Sequence, residues 1–126
     1  MAFSGWGVDC TLVAGADLSA KQYQNVGKVA GILATSADNF DGVIQNKPQA
    51  GEGITVRRFG VSKVYLPTSL GNGAELMQSN ATSGVLAIAT SGYCSFGYLL
   101  DAPTNGGSGA IATAWLYGGA LKRLIA

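Results

Sequence analysis

Histidine is absent from this chain of 126 residues, and charged residues are scarce. Without histidine, a serine–histidine acyl-transfer triad is impossible, and the sequence has no spacing typical of a metal site. Charged residues make up 12% of the chain, against about 25% in ordinary soluble domains. So few charges predict a surface that is covered in the working state, in an oligomer or on a larger shell. The alternative is a monomer whose surface is mostly serine, threonine, asparagine and glycine.

Other features that the chain has little of exclude further classes of function. The net charge is +1 and no block of basic residues occurs, so we expect no direct binding to nucleic acid. No apolar run approaches the ~18 residues of a membrane span, and we expect no membrane association. Nothing at the N-terminus resembles a secretory signal, so we expect Cys10 and Cys94 to be free and mostly buried thiols.

Candidate catalytic groups are few, and each has an ordinary structural explanation. Asp38, Asp41 and Glu52 stand beside glycines or in polar connections, where carboxylates are usually turn residues. Gly27-Lys28 lacks the earlier glycine and the following hydroxyl residue of a phosphate-binding loop. We therefore predict that the protein is not an enzyme and has no cofactor or metal.

What the chain does have is a series of short apolar runs separated by turns rich in glycine, asparagine and proline. No long helical period occurs, so the pattern predicts an all-β fold, a single small β-barrel or β-sandwich with little helix. Residues 1–8 are interpreted as an N-terminal arm and residues 9–126 as one β domain. Strands are expected at residues 10–13, 24–30, 32–35, 42–45, 54–66, 74–78, 85–89, 93–100 and 110–117. The strands 74–78 and 85–89 are expected to form a hairpin.

The longest expected strand, residues 54–66, contains a break in its alternation. Ile54 and Val56 share one parity, whereas Phe59, Val61 and Tyr65 share the other. Two interpretations stay open: one strand with both faces partly buried, or a β-bulge or bend between Arg57 and Gly60 that moves the chain between sheets or around a barrel corner.

Two strands carry residues of a kind that forms contacts with a partner. The strand 54–66 holds a basic and aromatic cluster: Arg57, Arg58, Phe59, Lys63 and Tyr65. Such a cluster fits three interpretations: a surface that binds single-stranded nucleic acid, an ordinary polar face of a β-strand, or an interface in which the arginines pair with carboxylates. The strand 110–117 places Ile111, Thr113, Trp115 and Tyr117 on one face and three alanines on the other. The alanine face predicts close approach by a neighbouring layer or subunit.

The segment GVIQNKPQAGEGITVRRFGVSKV at residues 42–64 resembles the central segment of the small head decoration proteins of tailed phages, also called capsid cement proteins. Members pair an apolar strand ending in QNKP with an AGE turn and a following strand of the form VxxxGVxKV. The close match spans about a fifth of the chain and contains no catalytic chemistry. It therefore points to a scaffold and not to an active site.

The resemblance implies a structural virion protein that decorates and stabilises the outer surface of an assembled capsid. Its implied partners are the major capsid protein and two further copies of itself in a homotrimer. It would be made in the host cytoplasm and would end on the virion. The candidate capsid or subunit contacts are Phe3, Trp6, Arg57, Arg58, Phe59, Lys63, Tyr65 and Trp115. The alternative function is a small β-barrel module that binds single-stranded nucleic acid or glycan.

Overall fold

The fold is all-β, as the turn-rich sequence predicts. A computed structural model describes residues 7–28, 31–35, 40–67, 70–80, 82–92, 94–101, 109–117 and 123–124. None of these residues is helical, and hence no helix among them could span a membrane. The strands are β1 (Gly7–Val13), β2 (Asn25–Gly27), β3 (Phe40–Ile44), β4 (Gly53–Tyr65), β5 (Glu75–Gln78), β6 (Leu86–Ile88), β7 (Cys94–Ser95), β8 (Gly97–Asp101), β9 (Ile111–Leu116) and β10 (Arg123–Leu124).

One antiparallel sheet of eight strands builds the domain. Its order is β2-β3-β4-β9-β8-β5-β6, and β1 pairs with β4 beside this path. Strands β7 and β10 form a separate pair. β5 and β6 form the expected hairpin, because turn residues separate two short apolar runs.

The two ends of the sheet approach each other, so the sheet is nearly a closed barrel. The backbone N–H of Asn25 on β2 donates to the carbonyl of Gly84, in the turn of the β5–β6 hairpin, at 2.9 Å. The side-chain Nδ2 of Asn25 donates to Oε1 of Gln78 at 2.8 Å, and both side chains are buried. Gln78 uses its own Nε2 to donate to the carbonyls of Ser79 and Thr82. We call Asn25 and Gln78 the amide latch.

Strand β4 contains the predicted β-bulge. Val8 pairs with Phe59 and Asp9 with Arg57, so Arg58 has no partner on β1. Gly60, two residues on, has a φ of 108°, which glycine adopts without a steric penalty. The strand nevertheless stays in one sheet, pairing first with β1 and β3 and then with β9.

β4 therefore combines features of both interpretations: it contains a β-bulge, and it is one strand with both faces partly buried. The fully buried side chains on either side of the bulge, among them Ile54, Val56 and Val64, keep the same parity. Phe59, Val61 and Tyr65 lie on the opposite, outer face and are half-buried. The outer face is thus apolar although it points away from the core.

β4 contributes to two hydrophobic clusters. Ile54 and Val56 pack with β1, β2 and the end of β3, whereas Val64 and Leu66 pack with β5, β6, β8 and β9. The second cluster is centred on the rings of Phe40 and Phe96, stacked with centroids 4.1 Å apart.

The alanine face of β9 points into this core. Ala112 and Ala114 are fully buried there, so the close neighbour is another layer of the same chain and not another subunit. A methyl group on Gly97 of β8 would collide with the carbonyl of Trp115, which shows how closely these two strands approach.

Several expected strand boundaries were wrong. The run 93–100 contains two strands, β7 and β8. Phe96 stands between them and belongs to neither, and its N–H donates to the carbonyl of Leu76. The expected strands 24–30 and 32–35 reduce, among the described residues, to β2 and a single bridge between Val26 and Leu33. Gly7 and Val8 of the expected arm lie in β1, and residues 1–6 lie outside the described residues.

Candidate functional site

The predicted contact residues of β4 share one face of the sheet. Arg57, Phe59, Lys63 and Tyr65 are at alternate positions and are half-buried, on the side opposite the core. Arg58 lies at the bulge, where its side chain is 44% exposed. Of the other predicted contacts, Trp115 joins this face from β9, and Phe3 and Trp6 lie outside the described residues.

Cross-strand pairing extends this face over four strands. Val61 lies opposite Trp115, Trp115 opposite Tyr98, and Tyr98 opposite Glu75. Directly paired residues point to the same side of a sheet, so these four form one row across β4, β9, β8 and β5. We call the surface around this row the aromatic face, made of Phe59, Val61, Lys63, Tyr65, Glu75, Tyr98, Trp115 and Tyr117.

The rings of the aromatic face contact one another. Phe59 and Trp115 pack edge to face with centroids 5.4 Å apart, and the rings of Tyr98 and Tyr117 lie 6.0 Å apart. The hydroxyl of Tyr117 lies 2.9 and 2.8 Å from the two carboxylate oxygens of Glu75. These contacts hold the aromatic rings in fixed orientations, which lowers the entropy that a partner's binding would cost.

The two arginines of the cluster are engaged within the chain. Arg57 donates to both carboxylate oxygens of Asp9, at 2.6 and 3.2 Å, and to the carbonyl of Val61 at 2.7 Å. Arg58 donates to the carboxylate of Asp41 at 3.1 Å, and this hydrogen bond raises the pKa of the Arg58 guanidinium. Each arginine thus ties a neighbouring strand, β1 or β3, to the bulge of β4.

Tyr23 lies beside the aromatic face in a conformation that is unusual for its side chain. Its φ is 67°, the left-handed region that non-glycine residues rarely adopt. Its N–H donates to the carbonyl of Ile44 and its carbonyl accepts from the N–H of Tyr65, so the backbone is held between β3 and β4. The Lys63 ammonium lies 5.6 Å from the centroid of its ring, within reach of a cation–π contact.

Sequence reasoning missed Tyr23, Glu75, Tyr98 and Tyr117 as members of this surface or its margin. The alternation of β8 and β9 places Tyr98 and Tyr117 on outer faces of their own strands. Which strand pairs with which, and in what register, depends on long-range contacts that the local pattern does not contain.

The remaining candidates for chemistry lie away from the aromatic face. No group of three or more metal-ligating side chains occurs within the described ranges. A shallow groove of about 320 Å³ lies near Leu18, Lys21, Ile32 and Leu33. Burial raises the pKa of the half-buried Cys10 thiol, which makes it a weak nucleophile at neutral pH.

A small, barrel-like all-β protein with an aromatic outer face is the class that these observations define. Its fold is similar to the crystal structure of the head fiber gp8.5 N base in bacteriophage phi29, with a TM-score of 0.59. The two chains are 14% identical over 88% of this chain and 94% of the other. No protein-family model matches the chain, and no curated protein matches it. At this identity the likeness shows the fold, and membership of the head decoration family stays a prediction.

Proposed function

We propose that this protein is a structural component of a phage virion, a decoration or cement protein on the outer surface of the assembled head. The observation that carries the proposal is the fold shared with a phage head fiber base over 94% of that chain. The resemblance of segment 42–64 to head decoration proteins supports it independently, because that resemblance lies in the sequence and does not depend on the fold comparison. The segment forms the end of β3, the connection after it and most of β4.

The proposed assembly is a homotrimer that bridges neighbouring major capsid proteins. Low charge and an aromatic outer surface fit a protein that works with much of its surface covered. A closed oligomer multiplies modest contacts, since binding of one subunit raises the effective concentration of the others. A ligand that binds the intact shell alone raises the stability of that shell by mass action.

Phage heads made without this protein provide the test. We expect them to assemble, yet to release DNA at a lower temperature than heads that carry it. Added purified protein should restore resistance and saturate at a fixed ratio to capsid protein, with no binding to unassembled capsid protein. Heads that are equally robust without the protein, together with no binding of the pure chain, would refute the proposal.

A second candidate, a module that binds single-stranded nucleic acid or glycan, is favoured by the half-buried rings of the aromatic face. Bases and sugars both pack on aromatic faces. Against nucleic acid, Arg57 and Arg58 are engaged by carboxylates of the same chain. Retention on a single-stranded DNA column that falls steeply with salt would support this candidate.

A further inference from the structure

We infer that the aromatic face is the surface through which copies of this chain associate, turned towards the axis of the trimer. This inference rests on the homotrimer of the proposed function, and it assigns the subunit contact to a particular face. The alanine face, which the sequence alone offered for that contact, is buried in the core.

The composition of the aromatic face matches the centre of a protein–protein interface. Val61, Trp115 and Tyr98 lie side by side in one row without a charged residue between them. Tryptophan and tyrosine are enriched where truncation costs most binding energy, near the middle of an interface surrounded by a polar rim. The charges of this face lie at its margins, on β4 and β5.

The arrangement of charge favours another copy of this chain over a different partner. Lys63 stands on β4 at one margin, whereas Glu75 on β5 and Asp101 at the end of β8 stand towards the other. Copies packed head to tail around an axis would place the cationic margin of one beside the anionic margin of the next. Head-to-tail contacts close into a ring when the rotation permits, which is the geometry that a trimer requires.

A charge placed at the centre of the face tests the inference. We expect Trp115→Glu to convert the trimer into a folded monomer, measured by light scattering with circular dichroism as the check on folding. Ile88→Glu is the matched control, because Ile88 is 53% exposed on β6 outside the aromatic face, and it should remain trimeric. Trp115→Ala should raise the dissociation constant by roughly 30-fold or more, as truncation of a central aromatic anchor does.

A second pair of measurements protects the test from a variant that fails to fold. In a Trp6→Phe background Trp115 is the single tryptophan, and its emission should shift to shorter wavelength as trimers form on concentration. Lys63→Glu should weaken association, and addition of Glu75→Lys should restore it at least in part. A trimer whose Trp115 emission does not change with association would overturn the inference.

The outcomes distinguish this inference from the proposed function. A wild-type trimer that persists in Trp115→Glu overturns the inference and leaves head decoration standing. If Trp115→Glu stays trimeric but no longer binds heads, the aromatic face contacts the capsid, and the inference is also overturned. A wild-type chain that is monomeric both in solution and on heads removes the trimer and the inference together, whereas head binding itself would still support decoration.

Discussion

At the scale of single residues, Tyr23 presents the clearest conflict between local preference and structure. Among the described residues it is the one non-glycine position with positive φ, a conformation that costs roughly 1–2 kcal/mol for an L-residue with a Cβ. Its ring packs against the larger hydrophobic cluster and lies beneath Lys63. The ring contacts therefore have to offset the backbone strain.

Comparison of Tyr23→Ala with Tyr23→Gly separates these two contributions. Alanine removes the ring and keeps the strain, whereas glycine removes both. We expect the glycine variant to have a free energy of unfolding about 1 kcal/mol higher than the alanine variant, although glycine is usually the less stable choice. Urea denaturation measures the difference, and an alanine variant as stable as the glycine variant would show that the position is not strained.

The adjacent arginines at the bulge provide a matched pair. The Arg57 side chain is 13% exposed and donates to both carboxylate oxygens of Asp9 and to the carbonyl of Val61. The Arg58 side chain is 44% exposed and donates to one carboxylate oxygen of Asp41. We expect Arg57→Ala to lower the free energy of unfolding by about 1–2 kcal/mol. Arg58→Ala should change it by less than about 0.5 kcal/mol. Equal effects in urea denaturation would contradict the assignment of Arg57 as the tie to β1.

At the scale of elements, the sequence predicts what local chemistry controls. The all-β class, the β5–β6 hairpin and the bulge of β4 follow from turn residues and from alternation within one strand. The division of residues 93–100 into β7 and β8 does not, because it depends on a hydrogen bond from Phe96 to a distant strand. The amide latch is unpredictable for the same reason, since Asn25 and Gln78 are 53 residues apart.

The aromatic face shows the same limit at the candidate site. The residues that β4 contributes are visible in its own alternation, and Trp115 stands out in β9. Tyr98 and Glu75 join them through strand pairing, which arises when the two hydrophobic clusters form. Burial of the alanine face is also a tertiary result, because a small side chain fits equally well against a core layer or a subunit.

Substitution of the amide latch tests how the barrel is closed. Gln78→Leu would leave the buried Asn25 Nδ2 without its side-chain partner and would remove the hydrogen bonds to the carbonyls of Ser79 and Thr82. We expect a loss of about 2–4 kcal/mol in the free energy of unfolding. Gln49→Leu is the control, since Gln49 is exposed, and it should change stability by less than about 0.5 kcal/mol.

A double substitution completes the test of the latch. Asn25→Leu combined with Gln78→Leu should cost less than the two single changes added together, because each single change leaves its partner unsatisfied. Thermal or urea unfolding of the four proteins gives the coupling free energy. Strict additivity would show that the two amides do not act as a pair.

At the scale of the whole molecule, one strand holds the fold together while its outer face remains available for contact. β4 supplies buried side chains to both hydrophobic clusters and outward side chains to the aromatic face. Any change that unfolds β4 therefore removes both clusters, so the described domain should unfold as one cooperative unit. The expected N-terminal arm precedes β1 in the sequence, and we predict that it adds a further contact surface to this unit.

Deletion of residues 2–6 tests whether that arm strengthens attachment. Phe3 and Trp6 are apolar residues in a segment too short to fold alone, and β1 begins at Gly7, so the deletion removes no described strand. We expect unchanged circular dichroism and weaker binding to heads, because each aromatic ring buried on a neighbouring subunit or capsid protein contributes on the order of 1.5–3 kcal/mol. The matched control is the full-length double variant Phe3→Ser with Trp6→Ser, which removes the rings but not the chain, and it should reproduce most of the effect.

Light scattering shows where the two rings bind. Dissociation of the trimer assigns them to a neighbouring subunit, whereas an intact trimer with reduced head occupancy assigns them to the capsid. Full occupancy of heads by the shortened chain would show that the arm makes no contact of consequence.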